Sequence, residues 1–353
     1  MKLSLKAFCI FIAILFSLSS KVGGRHCLQN GTVSKLQNGT EQLEGSNGSA
    51  LLFSSTTTSS TPPTTTVPFF EDVSSACSCG LAEFGTGKIV GGTNVDDAHL
   101  WPWFAVVVRS DRPTVGSHCG ASLISSRYLV TAAHCLLPMI HVGLRHFKVK
   151  LGYTDLRQNA TEGERLDMAI ESVTIHPRLR FEQSYPYHND IGLIKLAYPL
   201  TCKYNKRIRP VCLPPSPSDE EEKNHFVDQV AITAGFGRTS INGNQSLTLQ
   251  QIKIKIISNK ECMSHFIQLP FQGPKILRNM LCAWKKGHDS CVGDSGGPLF
   301  LKPSNSSKYI QLGVTSFGIG CANEKYPGVY TRLSEYLHWI RTVAVDLSSA
   351  SPF

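Results

Sequence analysis

Three short stretches of this chain hold the residue types that nucleophilic attack on a carbonyl requires. In Gly293-Asp-Ser-Gly-Gly-Pro298 a serine lies among glycines. A serine hydroxyl attacks poorly unless a base takes its proton and donors stabilise the oxyanion that forms. Flanking glycines allow a sharp turn that points N–H groups at a carbonyl. Gly, Asp and Ser are also turn formers, so this stretch alone reads equally well as a tight turn. Leu129-Val-Thr-Ala-Ala-His-Cys135 supplies an imidazole, which accepts and returns a proton near neutral pH. His134 differs from the other histidines because Cys135 can tether its loop while Leu129 and Val130 anchor the preceding strand. Asn189-Asp-Ile-Gly-Leu-Ile-Lys-Leu196 places Asp190 immediately before an apolar strand, where a carboxylate could fix an imidazole's tautomer and orientation. A lone Asp at a strand start would be commonplace.

The elements that must position these residues are short. Runs rich in β-branched and aromatic residues at 104–108, 128–131, 147–151, 192–196, 230–233, 249–256 and 309–314 alternate with Gly, Pro and Asn turns. Many short strands at close spacing predict an all-β sandwich or barrel. The acidic, proline-rich stretch 214–222 reads as a linker between two halves. Leu333, Leu337, Ile340 and Val343 recur at helical spacing and predict one amphipathic helix near the end.

Residues 1–20 read as a signal peptide: Lys2 and Lys6 precede an apolar run too short for the roughly 20 residues that span a bilayer. No later segment is long and apolar enough to span, so a secreted, extracellular product without a transmembrane anchor is expected. Residues 21–88 form a leader whose 54–68 stretch is dominated by Ser, Thr and Pro, a composition too polar to repay its ordering entropy. Sequons at Asn30, Asn38, Asn47, Asn159, Asn244 and Asn305 fit a secretory route. From Ile89 onward 29 basic face 21 acidic residues, which concentrates most of the +9 net charge there. Lys203, Lys206, Arg207 and Arg209 form the best basic cluster; it could attract an anionic glycan, although a solvated face is the plainer reading. No nucleic acid partner is expected.

Taken together, the three stretches are specific. Residues 89–346 closely resemble the chymotrypsin/trypsin family of serine proteases, whose chain order is His, Asp, Ser; residues 347–353 are left as a flexible tail. The resemblance leaves out the leader, read as disordered from its composition, and implies two packed six-stranded antiparallel β-barrels with a C-terminal helix. It implies peptide hydrolysis through an acyl-enzyme without a cofactor, with Ser295 as nucleophile, His134 as general base and acid, and Asp190 as its support. Backbone N–H groups of Gly293 and Ser295 would form the oxyanion hole, and Ser316 resembles the family serine that bonds the aspartate. Asp289, six residues before Ser295, matches the pocket aspartate of the trypsin-like branch. A buried carboxylate favours a cationic partner, so cleavage after Arg or Lys is expected. Ser290 could help hold a Lys ammonium, and Gly318 and Gly328 match the pocket-wall glycines. In Gly85-Thr-Gly-Lys-Ile-Val-Gly-Gly92, a cut after Lys88 would free the Ile89 amine to pair with Asp294; the activator is another protease or the enzyme itself.

By resemblance, Cys119–Cys135, Cys262–Cys282 and Cys291–Cys321 are pairs, and Cys212 holds the leader through Cys79. Ala231 and Leu301 stand where a further family bridge would be, a loss matched at both ends. Once Cys9 leaves with the signal peptide, Cys27, Cys77 and Cys202 remain; Cys77–Cys202 is the preferred pair, leaving Cys27 free or intermolecular. Tyr153 and Arg165 replace acids of the family's calcium loop, so no metal is expected there. Phe317 replaces the usual tryptophan beside the pocket. The competing class is a catalytically silent homologue that acts as a binding protein.

Overall fold

The computed structural model describes residues 78–82, 93–94, 101–111, 117–161, 163–182, 185–200, 207–216, 225–238, 243–267, 269, 273–285, 294–319 and 325–345. The chain divides into units 1–66 and 67–353, and every described residue falls in the second. In chain order the first elements are β1 (Thr93–Asn94), β2 (Phe104–Arg109), β3 (Ser117–Leu123), β4 (Tyr128–Thr131) and helix α1 (Ala133–Val142). Then come β5 (Phe147–Leu151), β6 (Leu166–Ile175), β7 (Arg180–Glu182), β8 (Tyr185–His188) and β9 (Gly192–Leu196). The second half holds β10 (Val230–Gly235), β11 (Gln250–Ile257), α2 (Asn259–Phe266), β12 (Met280–Trp284) and β13 (Pro298–Leu301). It ends with β14 (Ile310–Phe317), β15 (Gly328–Arg332), a 3-10 turn (Leu333–Tyr336) and α3 (Leu337–Val343).

Two closed antiparallel barrels of six strands result. The first closes in the order β2-β3-β4-β9-β6-β5. The second runs β11-β10-β13-β14-β15-β12 and closes through the β11–β12 pairing, with β1 added beside β11. Side-chain alternation explains the closure: Phe147, Val149 and Leu151 are buried while Lys148 is exposed, and Ile254 and Ile256 are buried while Lys253 and Lys255 are exposed. A period of two sends one set to the barrel interior and the other to water.

Aromatic side chains join the barrels. Trp101 from the first half stacks edge-on against Phe300 of β13 at 4.6 Å, and the ring of Trp103 meets Phe300 at 5.2 Å and Tyr309 at 5.5 Å. Trp103 is fully buried, so truncating such a side chain to Ala costs about 3–5 kcal/mol. Two polar links cross the same seam: Trp101 Nε1 donates to Gln251 Oε1 at 2.8 Å and Ser122 Oγ to Gln311 Oε1 at 2.6 Å.

Strand register decides where the functional stretches emerge. Thr131 at the end of β4 pairs with Gly192 at the start of β9, so His134 and Asp190 leave the first barrel at one edge. Pro298 at the start of β13 pairs with Val314 near the end of β14, so the Ser295 turn and Ser316 leave the second barrel together. The C-terminal helix expected from Leu333, Leu337, Ile340 and Val343 is split: the first turn is 3-10 and α3 follows, with Leu333, Leu337 and Ile340 buried. His134 lies in the first turn of α1 rather than in a loop. Helix α2 was not anticipated, although Ser258 caps it by accepting from Glu261 N at 3.1 Å, a Ser-x-x-Glu start visible in the sequence.

Candidate active site

The site grows from the edge where β4 ends. Leu129 and Val130 are fully buried and anchor that strand. Cys135 of α1 is bonded to Cys119 of β3, with Cα atoms 6.1 Å apart, which pins the first helical turn to the barrel wall. His134 meets the Asp190 carboxylate twice: its backbone N–H donates to Oδ1 at 2.9 Å, and Nδ1 lies 2.7 Å from Oδ2. A carboxylate only accepts, so Nδ1 carries the proton and, in the neutral ring, Nε2 is left basic.

Asp190 has no exposed surface, and the second barrel supplies its remaining partners. Ser316 Oγ on β14 donates to Oδ2 at 2.6 Å, and Thr331 Oγ1 on β15 donates to the Asp190 carbonyl at 2.7 Å. Burying an ion is tolerated only when it is paired and hydrogen-bonded. Burial pulls the His134 imidazole down, but the Asp190 charge and hydrogen bond outweigh it, and the ring titrates above its ordinary value.

Ser295 sits in a turn closed by the bond from Gly297 N to the Asp294 carbonyl at 2.9 Å. Gly120 N on β3 donates to the Ser295 carbonyl at 2.8 Å, and Gly296 N donates to the Thr315 carbonyl at 2.8 Å. Gly296 adopts φ 78°, and a Cβ there would stand 2.2 Å from Thr131 Oγ1 and 2.5 Å from the Gly120 carbonyl. The serine turn is therefore seated on the backbone that leads into His134. Beside it, Asp294 Oδ1 accepts from Gly237 N at 2.8 Å. A Cβ on Gly235 would fall 1.8 Å from that same oxygen.

Gly328 is buried in β15 and Gly318 is exposed just after β14. Asp289, Ser290, Gly293, Cys291, Cys321, Lys88 and Ile89 lie outside the described residues, as do Cys27, Cys77 and Cys202. Cys79–Cys212 and Cys262–Cys282 are bonded, with Cα separations of 4.9 and 6.1 Å. Asn159, Asn244 and Asn305 are exposed, whereas Asn30, Asn38 and Asn47 lie outside the described residues. Of the basic cluster, Arg207 and Arg209 are half-buried, and Lys203 and Lys206 fall outside the described residues.

An aromatic wall beside His134 escaped the sequence reading. The Tyr187 ring lies 5.0 Å from His134, 5.4 Å from Phe181 and 6.0 Å from Phe317. Its only sequence cue is aromatic content just upstream of Asp190. In the loop compared above with the family's calcium loop, Tyr153 O–H donates to Asp167 Oδ1 at 2.7 Å, and Arg165 bonds the Asn159 carbonyl and Thr161 Oγ1 at 3.0 and 2.8 Å. Among the described residues, Cys119, His134 and Cys135 cluster closely enough to hold a metal, but the two sulfurs are bonded to each other and offer no thiolate.

A buried Asp–His pair and a glycine-flanked serine turn, brought to one seam by two six-stranded barrels, define the double-barrel class of serine hydrolases. Residues 89–340 match the family described as Trypsin, and the chain belongs to that family of serine proteases. It is 33% identical over 286 residues to the clotting factor G beta subunit of Tachypleus tridentatus, covering 78% of this chain and 85% of that one. It is 34% identical to a venom protease of Bombus pensylvanicus over 67% of this chain and 91% of the relative. It is 35% identical to phenoloxidase-activating factor 3 of Holotrichia diomphalia over 74% of each.

Proposed function

We propose that this protein is a secreted serine endopeptidase that cuts after Arg or Lys and is switched on by cleavage after Lys88. The observation that carries the reading is the 2.7 Å contact between His134 Nδ1 and a fully buried Asp190, which leaves Nε2 as the basic atom of the ring. Ser295 Oγ attacks the scissile carbonyl as His134 Nε2 takes its proton. The backbone N–H groups of Gly293 and Ser295 hold the oxyanion. The imidazolium, supported by Asp190, returns the proton to the leaving amine, and water repeats the sequence to release the acid.

Asp289 is the pocket acid for the cationic side chain, with Ser290, Gly318 and Gly328 around it. Residues 1–20 are the signal peptide, 21–88 the glycosylated leader, 89–346 the catalytic domain and 347–353 the tail. The free Ile89 amine pairs with Asp294, and Cys291–Cys321 braces the pocket. Exposed Asn159, Asn244 and Asn305 are accessible to glycosylation. The names of the relatives, a clotting subunit, a phenoloxidase-activating factor and a venom protease, favour regulatory or venom proteolysis over simple digestion.

The test is direct. After cleavage at Lys88, a fluorophosphonate should label Ser295, and mass spectrometry of peptides cut from a proteome library should find Arg or Lys before each cut. A silent binding homologue would be cleaved and remain unlabelled. Labelling with cuts after other residues would remove the role given to Asp289.

A further inference from the structure

We propose that Asn189 and Tyr336 are positioning residues: Asn189, held by Tyr336 of the C-terminal turn, aims Asp190 and through it His134. The proposal rests on the catalytic reading of the His134–Asp190 pair and names residues outside it.

Asn189 immediately precedes Asp190 and holds a left-handed backbone, φ 55°. Among residues with a side chain, asparagine tolerates this conformation best, and its side-chain contacts fix it here. Ile191 N donates to the Asn189 carbonyl at 2.9 Å, closing a three-residue turn with Asp190 at its centre. The direction in which the Asp190 side chain leaves the backbone therefore depends on how Asn189 is held.

Three polar contacts hold it. Asn189 Nδ2 donates to the Arg178 carbonyl at 2.7 Å, an anchor within the first barrel. Its Oδ1 accepts from Tyr336 O–H at 2.9 Å and from Asn279 Nδ2 at 3.2 Å. Asn279 Nδ2 also donates to Tyr336 Oη at 2.6 Å. The protons run one way: amide to phenol, phenol to amide oxygen, amide to carbonyl. Asn279 stands just before β12 and is fixed by Arg332 N, which donates to its carbonyl at 3.0 Å. Tyr336 closes the 3-10 turn that leads into α3, is buried, and packs its ring 5.2 Å from His176 of the first barrel.

Two of the three contacts on Asn189 thus come from chain that follows the first barrel by at least 80 residues. Ser316 and Thr331 already grip Asp190 itself from that side. Docking of the C-terminal turn and orientation of the aspartate become one event. A Phe at 336 would leave Asn189 Oδ1 with only the longer bond from Asn279 and would remove an acceptor from Asn279.

Among the described residues, the titratable neighbours are these. His176, Glu335 and Asp190 face Tyr336; Asp190, His118 and Tyr187 surround His134. None is altered by Tyr336→Phe, so a change in His134 titration would report its contact with Asp190.

The experiment compares wild type, Tyr336→Phe, Asn189→Ala and Asn189→Gly in the full chain cleaved at Lys88. It measures kcat, KM on an Arg-containing peptide, melting temperature and the NMR titration of His134. Tyr336→Phe should lower kcat about tenfold, the scale of one lost hydrogen bond, with KM unchanged and the His134 titration moved down. Glycine accepts the left-handed backbone without strain, so a Gly variant with wild-type kcat would show that the Asn189 amide has no positioning role and would overturn the proposal. Loss of kcat in both Asn189 variants supports it. A Tyr336→Phe protein that melts earlier but keeps kcat and the His134 titration would reduce Tyr336 to a packing residue. If wild type fails to take fluorophosphonate on Ser295, the protease reading falls separately. The His134 titration then still decides this proposal: movement in Tyr336→Phe supports it, and no movement overturns it.

Discussion

Ser316 Oγ donates to Asp190 Oδ2 at 2.6 Å, the same oxygen that meets His134 Nδ1 at 2.7 Å. One carboxylate oxygen thus joins the two barrels, since His134 and Asp190 come from the first and Ser316 from β14 of the second. Ser316→Ala should lower the melting temperature and kcat together, because a lost hydrogen bond to a charged group costs about 1.5–3 kcal/mol. Thermal melts and steady-state rates on the same preparation check it; an unchanged kcat would mean that the two bonds from His134 suffice to hold the carboxylate.

The His134 shift has a definite sign. The folded protein favours the imidazolium, so activity that needs the neutral ring should rise with pH through a value above the ordinary histidine pKa of about 6.5. The pairing stabilises the fold fully below about pH 6.5 and less as pH climbs through the folded value. Asp190→Asn removes both raising influences and leaves burial, so the limb should move below the ordinary value while kcat falls by about 10⁴-fold. Profiles of kcat/KM for both proteins measure this; a wild-type limb below the ordinary value would contradict the pairing.

Gly296→Ala should uncouple the serine from the histidine. The new methyl would collide with Thr131 Oγ1 and with the Gly120 carbonyl, both backed by rigid strands, at a φ that disfavours alanine. The turn must shift, so fluorophosphonate labelling of Ser295 should slow by at least about 100-fold, the cost of roughly 1 Å of misplacement. Labelling at the wild-type rate would show that the turn relaxes without moving the hydroxyl.

The leader should stay attached after activation. Beyond the Cys79–Cys212 bond, Gly80 N donates to the Pro210 carbonyl and Tyr309 N donates to the Gly80 carbonyl, each at 2.8 Å. Protein cut at Lys88 should migrate as one band without reductant and as two with it; because Cys77–Cys202 would tether the leader as well, its release should require Cys77→Ser together with Cys79→Ser. Release from the unaltered cleaved chain without reductant would refute the tether.

Local sequence carried the strands whose large apolar residues alternate, such as Phe147-Lys-Val-Lys-Leu151, because period-two patterning is visible without knowing the partner strand. It did not reveal β3, built on Ser117, Gly120 and Ser122. Gly120 is required by the close approach of the Gly297 backbone, a contact between segments far apart in the chain. Nor did β13 stand out, with four residues beginning at Pro298.

The sequence by itself determined the chemical inventory: a serine among glycines, a histidine before a cysteine, an aspartate at a strand start, and the family to which their order belongs. Tertiary structure alone decided that Tyr187 flanks His134, that Asn189 takes a left-handed turn, and that Ser316, Thr331, Asn279 and Tyr336 converge on Asp190 and its neighbour. Residue types and short spacings are written along the chain. Which groups share one buried carboxylate depends on the register of two closed barrels, a property of long-range pairing that no local window contains.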